Sequence, residues 1–524
     1  MKLKKLLATC ALAGLAVSGQ AFGQAAFDTP DLTVNLTGAS APDNFLQGIA
    51  TAIYLPGFHT YQDDGGTPGV FTDDGLGWRA FFGTLASTAD IPVALRGQRV
   101  LFIKRSAGGS VWGVDPVARA GRHRTINITD PTCELNASIQ RCTIIGIDPG
   151  LPNHADPVLN NGRVSDFGVS DVEPNLFKAP YNVEFGQGQL TPAEAARLLV
   201  KPVNVLMMGF SATNAVPATT YLSRADYAAM LSNRIQDWSQ VDPTITTGNT
   251  QVVVCRRVNG SGTQSSYNWF FNNFPCQSAF GGLVAPATML DDSFSGIVAG
   301  DGLSSATAFE IDPSQGYTVV DNSSSGNVRT CLTNAQSNTD LTFLGANGSW
   351  YKILFSAGGP GNPYRAIGVL SVDSFASATV GTVGVPPTTG WSFRSMDGAG
   401  IFDARSTGAT AQLFTNGPGT GIAPSKVNLL TGKYDFAVEL AMQYRTVPVT
   451  NLQGDVVPAL SGLRLAFADE FIRRAGDPSR NTGPVTAALP PTFTPTLDVN
   501  GVPTNNVAKG TRGGNTCKPL GRLF

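Results

Sequence analysis

The segment Arg256-Arg257-Val258-Asn259-Gly260-Ser261-Gly262-Thr263 holds the residue types best suited to grip an anion. The apolar run Gln251 to Cys255 precedes it. Tyr267, Phe270, Phe271 and Phe274 follow at helical spacing. A strand, a glycine-rich turn and a helix start place unpaired amides and the positive end of a helix dipole at one point. Gly260 and Gly262 allow close backbone approach, and Ser261 and Thr263 add hydroxyl donors. Arg257 supplies a forked, permanently charged guanidinium that matches phosphate geometry. The alternative is an ordinary turn and helix cap, since glycine-rich strings are common in a chain with 59 glycines.

The surrounding elements read as alternating strands and helices, hence α/β layers. Asp31 to Leu36 alternates and predicts a strand, as does Val100 to Ile103. Pro42 opens a helix with Phe45, Leu46 and Ile49 on one face. Residues 113 to 164 read as an insertion rich in Pro, Gly, Asn and Asp. Thr191-Pro192-Ala193-Glu194 is a capping box, and its helix is expected to end before Pro202. Val203 to Met208 is a buried strand. Ser223 to Asp226 caps a second helix, which carries Tyr227, Met230, Leu231, Ile235 and Trp238 on one face. Leu463, Phe467, Phe471 and Arg474 mark a further amphipathic helix. After about residue 480 the composition predicts a loosely ordered Pro/Thr/Gly-rich tail.

With that frame the sequence resembles the phosphate-binding proteins of ABC importers, the PstS-like family. Arg257 to Thr263 matches the family's R-x-x-G-S-G-T loop. Leu36-Thr37-Gly38-Ala39-Ser40-Ala41 is similar to its opening T-G-A-G-A segment, and Ser106-Ala107-Gly108-Gly109 to its S-S-G-G loop. Asp166-Phe167-Gly168-Val169-Ser170-Asp171 is similar to its D-F-G-A-S-D segment, and the helix leading to Trp238 to the family helix that ends in tryptophan. Ser323 to Gly326, Ala366 to Gly368 and Gly432 to Tyr434 resemble later punctuation, in family order. The resemblance implies a two-lobed periplasmic-binding-protein type 2 fold with an anion between the lobes. The donors it implies are Ser106, Arg257, Ser261, Gly262 and Thr263, with Ser40 and Arg105 as additional candidates. It gives Asp171 the acceptor role. A carboxylate beside an anion is repulsive unless it accepts a hydrogen bond from a protonated ligand oxygen, a proton that phosphate has near neutral pH and sulfate lacks. An unpaired buried acceptor would reject the wrong ligand by about 10⁴-fold. Three positions depart from the family. Pro42 has no N–H where the family usually has a hydroxyl residue, Asp43 adds negative charge, and Asn259 replaces an acidic partner of the arginine. Arg105 has a second reading as an ion-paired strand-end residue.

Composition narrows the function classes. The chain has 524 residues, 14% charged, with a formal charge of −2, so it carries no nucleic-acid footprint. Lys2, Lys4 and Lys5, the apolar run Leu6 to Val17 and Ala21-Phe22-Gly23 form a cleavable signal peptide over residues 1–23. Losing three lysines and no acids takes the charge from −2 to −5. No later stretch predicts a transmembrane helix. Export places the protein in the periplasm or outside the cell and implies disulfides among Cys133, Cys142, Cys255, Cys276, Cys331 and Cys517. Fifteen connectivities are possible. Local spacing favours Cys133–Cys142 and Cys255–Cys276, and elimination then gives Cys331–Cys517. His59, His123 and His154 fit no zinc motif and read as surface loop residues. The pairs Asp63-Asp64, Asp73-Asp74 and Asp291-Asp292 read as solvated turns. No nucleophile elbow or Walker loop is present, so a non-enzymatic role without cofactor or metal is expected.

The domain reading is lobe 1 over 24–200 and 366–480, lobe 2 over 201–365, and a tail over 481–524. The functional reading is an exported solute-binding protein for phosphate or a similar oxyanion, served by a separate ABC permease. The alternative is a cell-surface structural or interaction protein with a degenerate anion site.

Overall fold

The alternating residues after Asp31 form β1 (Leu32–Gly38), with Val34 and Leu36 in the core. Pro42 is the N-cap of α1 (Asp43–Thr51), which buries Leu46, Ile49 and Ala50 as the spacing predicts. β2 (His59–Asp63), β3 (Trp78–Thr84) and β4 (Arg99–Arg105) follow. Within the insertion, β5 (Cys133–Asn136) and β6 (Ile139–Cys142) form a hairpin that extends the sheet beside β2. Then come β7 (Phe167–Ser170), the sixteen-residue β8 (Leu198–Thr213), β9 (Asn249–Arg257), α2 (Gly262–Asn272), β10 (Thr318–Asn322), α3 (Ser325–Ser337) and β11 (Tyr364–Ser371). β12 (Ala437–Arg445) and α4 (Gly462–Gly476) complete the frame. This is a computed structural model, and it describes residues 25–64, 77–136, 138–183, 188–276, 289, 297–380, 387–403, 412–414 and 420–522. The signal peptide over 1–23 and the pairs Asp73-Asp74 and Asp291-Asp292 lie outside the described residues.

The fold is mixed α/β. A large sheet runs in the order β10-β9-β11-β8-β12-β7-β1-β4-β3-β2-β6-β5. β1 is parallel to β4 and β7, and β9 is parallel to β10 and β11. β8 joins the two parallel groups. Its first part, Leu198 to Met207, pairs with β12, and Met208 to Ala212 pairs with β11, both antiparallel. Two lobes result, consistent with the expected two-lobed architecture. α4 closes the first lobe by setting Phe467 and Phe471 on Phe102, with ring centroids 5.3 and 5.2 Å apart. In the second, Phe210 stacks on Tyr227 at 4.3 Å and on Phe436 at 5.6 Å. Aromatic pairs at such distances add to the energy of area burial. No helix among the described residues is long and apolar enough to cross a membrane.

Several sequence expectations are corrected. The Thr191 capping box forms, but its helix covers only Pro192–Ala195. The chain enters β8 at Leu198, and Pro202 sits inside that strand at a register shift, where its missing N–H is tolerated. The helix after Ser223 stops at Leu231, before Asn233 at φ 59°, so Trp238 reaches the core from a separate turn. Phe274 lies beyond the end of α2. Cys133–Cys142 forms as expected, but the other bridges are Cys255–Cys331 and Cys276–Cys517. Cys255 lies two residues before the end of β9, and the eleven residues of α2 then carry the chain about 16 Å along the helix at about 1.5 Å per residue, too far for Cys276 to return and bridge. Cys331 on α3 is buried beside β9 instead.

The segment after 480 is not loosely ordered. Thr486–Ala488 pairs with β8, and Lys426 Nζ donates to the carbonyls of Asn481 and Gly483 at 2.7 and 3.0 Å and to that of Thr486. His123 is no surface residue. It is buried, contacts Ser165 Oγ at 2.9 Å, and burial lowers its pKa to about 4. His154 is also buried. Asp63 and Asp64 are buried rather than solvated; Asp63 accepts the Trp78 amide at 3.0 Å, and burial raises its pKa to about 6.

Candidate functional site

Arg257 stands at the C-terminal end of β9, fully buried where the lobes meet. Its Nη1 donates to Ser40 Oγ at 2.9 Å and Ser325 Oγ at 3.3 Å. Its Nε donates to the Asn322 carbonyl at 3.1 Å and its Nη2 to the Ser323 carbonyl at 2.8 Å. Ser261 caps α2, its hydroxyl accepting the Gln264 amide at 3.4 Å. The amides of Gly262 and Thr263 open that helix and have no partner within it. These groups come from two lobes and three loops, and the parallel ends of β1, β9 and β10 deliver them to one place.

Asp171 follows β7 and is buried. Its Oδ2 accepts from Thr263 Oγ1 at 2.9 Å and its amide donates to Ser110 Oγ at 3.2 Å. Its Oδ1 is buried with no hydrogen-bond partner. Burial raises its carboxyl to about 6, against the opposing effects of the Thr263 hydrogen bond and the Arg257 charge. Gly262 lies so near that a Cβ there would come 2.9 Å from the Asp171 Cβ and 2.4 Å from Ser110 Oγ. Glycine is thus required by close approach.

Ser106 sits in a neighbouring cluster. Its hydroxyl donates to Asp43 Oδ1 at 3.0 Å and accepts from Lys104 Nζ at 2.8 Å. Lys104 Nζ lies 3.1 Å from Asp43 Oδ1 and donates to the Ala39 carbonyl at 2.8 Å. Burial lowers the Lys104 pKa, opposed by Asp43. Sequence reading missed Lys104 and Ser110. Lys104 was signalled by strand period, because it shares the face of Phe102 two residues earlier. Ser110 carried no signal beyond following Gly109.

Arg105 does not join the cluster. Both its terminal nitrogens bind Asp148, at 2.6 and 3.0 Å, and its guanidinium lies 3.5 Å from the Trp112 ring centroid. The strand-end ion-pair reading describes its geometry. Ser40, Arg257, Ser261, Gly262, Thr263 and Asp171 are brought together, and Ser106 lies beside them through Ser40's own loop.

The lobes touch directly. The Val111 amide donates to the Gly260 carbonyl at 2.9 Å and the Gly108 amide to the Ser323 carbonyl at 3.1 Å. The cleft remaining between Ser40, Asp43, Arg79, Ser325, Arg329 and Asp373 has a volume of about 10 Å³, the space of a single water. An anion the size of phosphate enters only if these contacts part. Among the described residues no group of three His, Cys, Asp or Glu side chains is placed to hold a metal ion.

The fold has remote likenesses among solved structures. A putative phosphate ABC transporter substrate-binding protein from Clostridium perfringens, solved with bound phosphate, is 13% identical, with a TM-score of 0.32 over 84% of this chain and 92% of that one. A phosphate-binding protein from Stenotrophomonas maltophilia is 14% identical, with a TM-score of 0.31 over 79% of each chain. An ancestral soluble variant of the human phosphate binding protein is 15% identical, with a TM-score of 0.29 over 79% of this chain and 81% of that one. No family model matches the sequence, and no curated protein matches it. At these scores the likeness is too remote to assign a ligand or a role.

Proposed function

We propose that this chain is an exported, non-enzymatic solute-binding protein that takes phosphate or a similar protonated oxyanion between its lobes and passes it to a separate ABC permease. The observation that carries the reading is Asp171 Oδ1, a buried carboxylate oxygen without a donor, beside the start of α2 and within the field of Arg257. Such an oxygen is costly to leave unpaired. A ligand bearing both negative charge and a proton satisfies Asp171 and the cationic groups together. Disulfides fit an oxidising compartment and support export. Calorimetric titration with phosphate and with sulfate tests the reading. Phosphate binding at least about a hundredfold tighter than sulfate is expected, a conservative part of what one unpaired buried polar group can enforce.

A second reading is favoured by Asp43. Its carboxylate already occupies Ser106 and Lys104, while Arg257 is covered by Ser40 and by the Asn322 and Ser323 carbonyls. On that reading the anion site is internally neutralised, and the protein serves as a surface structural or interaction component. Absence of any phosphate-dependent rise in melting temperature at millimolar phosphate would select it, because a ligand that binds only the folded state must stabilise it.

A further inference from the structure

At the other end of β7 from Asp171 lies a larger cavity. Asp166 precedes the strand and Asp171 follows it, so the two regions are separated by about 16 Å at about 3.3 Å per residue. The cavity has a volume of about 260 Å³ and is lined by Asn35, Arg163, Asp166, Arg445, Ser461 and Arg464, with chain 457–460 as its apolar wall. At about 30 Å³ per water it has room for roughly nine waters, enough for a small organic molecule.

Its charge is unbalanced. Three arginines face one carboxylate. Asp166 is already engaged, its Oδ2 accepting the Asn35 amide at 2.8 Å and the Asn35 side-chain amide at 3.3 Å, and Arg464 Nε approaches its Oδ1 only to 3.6 Å. The Arg163 side chain makes no hydrogen bond among the described residues and is held near Asp166 by charge alone, while its backbone pairs with His123. Arg445 is buried; its Nη1 and Nη2 donate to the carbonyls of Val117 and Pro458 at 2.7 and 3.2 Å, and its Nε has no partner. The cavity also borders the start of the fifteen-residue α4, whose N-cap Ser461 makes no side-chain cap hydrogen bond. A helix start without its cap leaves amides and dipole available to an anion.

We infer that this cavity is a second anion site, one that takes a small organic polyanion, either a phosphate monoester or a polycarboxylate. The shared chemistry is two or more negative charges on a body larger than inorganic phosphate. Arg163 and Arg464 supply forked donors at the mouth. Arg445 fixes positive charge at the base, and the first turn of α4 supplies amides. The inference is independent of the interlobe reading.

Titration calorimetry on the full chain in low-salt, phosphate-free buffer, with glucose 6-phosphate and citrate as separate probes, tests it. At least one probe is expected to bind at millimolar concentration or better. The double variant R163A/R464A should bind it at least tenfold more weakly, while R257A, altered in the interlobe site, binds it as the wild type does. Binding of glucose 6-phosphate alone assigns phosphate-ester chemistry, and of citrate alone polycarboxylate chemistry. Binding of neither probe, equal binding by R163A/R464A, or loss of binding in R257A overturns the inference. Arg163→Ala alone surrenders no side-chain hydrogen bond among the described residues, so it carries the test if the double variant fails to fold.

Discussion

On the proposed reading, Arg257 and Asp43 set the anion balance of the interlobe site in opposite directions. Replacing Arg257 with Ala removes the buried cation that would meet the ligand, so phosphate affinity measured by calorimetry should fall by about 2–5 kcal/mol. Asp43 acts the other way, since its carboxylate holds Ser106 and Lys104. Asp43→Asn removes a like charge near the ligand and frees a hydroxyl and an ammonium. Phosphate should bind about tenfold more tightly in that variant, a gain of about 1–2 kcal/mol for charges several ångströms apart near a protein surface. Asp171 adds a pH dependence. Its folded-state pKa is raised from 3.8 to about 6 by burial. The folded chain therefore keeps a proton that the unfolded chain gives up. The stability from this group is full below about pH 3.8 and is lost as pH rises through about 6. Asp171→Asn should raise the melting temperature at about pH 7.5, by an effect on the order of 3 kcal/mol, and leave it unchanged at about pH 3.5. Residue types alone exposed Arg257, because a guanidinium beside a glycine turn has few uses, and the resemblance of Asp166 to Asp171 to the family's D-F-G-A-S-D segment added Asp171. They could not expose Lys104, whose role depends on α1 bringing Asp43 to it, nor the commitment of Arg105 to Asp148 forty-three positions along the chain.

At the scale of elements, local sequence signals fix the helices and strands, while distant pairings do not show in the sequence. Amphipathic spacing located α1 and α4, and the strand, turn and helix around Arg257 formed as β9 and α2. Pro202 predicts a boundary, but a bulge absorbs it within β8, and only the pairing with β12 makes that possible. The lobe division is a proposal, and pairing moves it. β11 (Tyr364–Ser371) lies between β8 and β9, so we propose that the second lobe extends past 365 and that the chain returns to the first at β12. Cysteine pairing shows the same limit. Cys276–Cys517 closes a sequence separation of 241, which spacing cannot anticipate. That bridge, with Thr516 Oγ1 on Glu173 and the Gly514 amide 2.6 Å from Glu439 Oε2, fastens the C-terminal segment across both lobes. The variant C276S/C517S should lose about 2–5 kcal/mol in denaturant unfolding and become sensitive to limited proteolysis after residue 480. Unchanged protease resistance would mean that Lys426 and the pairing of Thr486–Ala488 suffice to hold it.

At the scale of the whole molecule, the question is whether the lobes part. A solute-binding role requires it, because the cleft between them has room for a single water and Gly108 and Val111 bond directly across it. Gly109 is the contact through which this can be tested. It adopts φ +86°, and a Cβ there would stand 2.7 Å from Arg257 Nη2 and 3.1 Å from the Ser261 Cα. Gly109→Ala therefore places an atom between the lobes and also strains the backbone. Gly57→Ala separates the two effects, since Gly57 has φ +94° but open space around its missing Cβ. If β8 and the chain entering β12 act as a hinge, Gly109→Ala holds the lobes apart, and small-angle scattering should give a larger radius of gyration than wild type that phosphate no longer reduces. Phosphate affinity should fall at least about tenfold, because the closed arrangement that gathers donors from both lobes is no longer reached. Gly57→Ala should show neither change, only a small loss of stability from its positive φ. If instead Gly109→Ala keeps the wild-type radius and lowers the melting temperature alone, the lobes form one rigid body that yields locally around the new methyl. Capture between moving lobes would then be untenable for this chain, and the internally neutralised arrangement around Asp43 would be its permanent state.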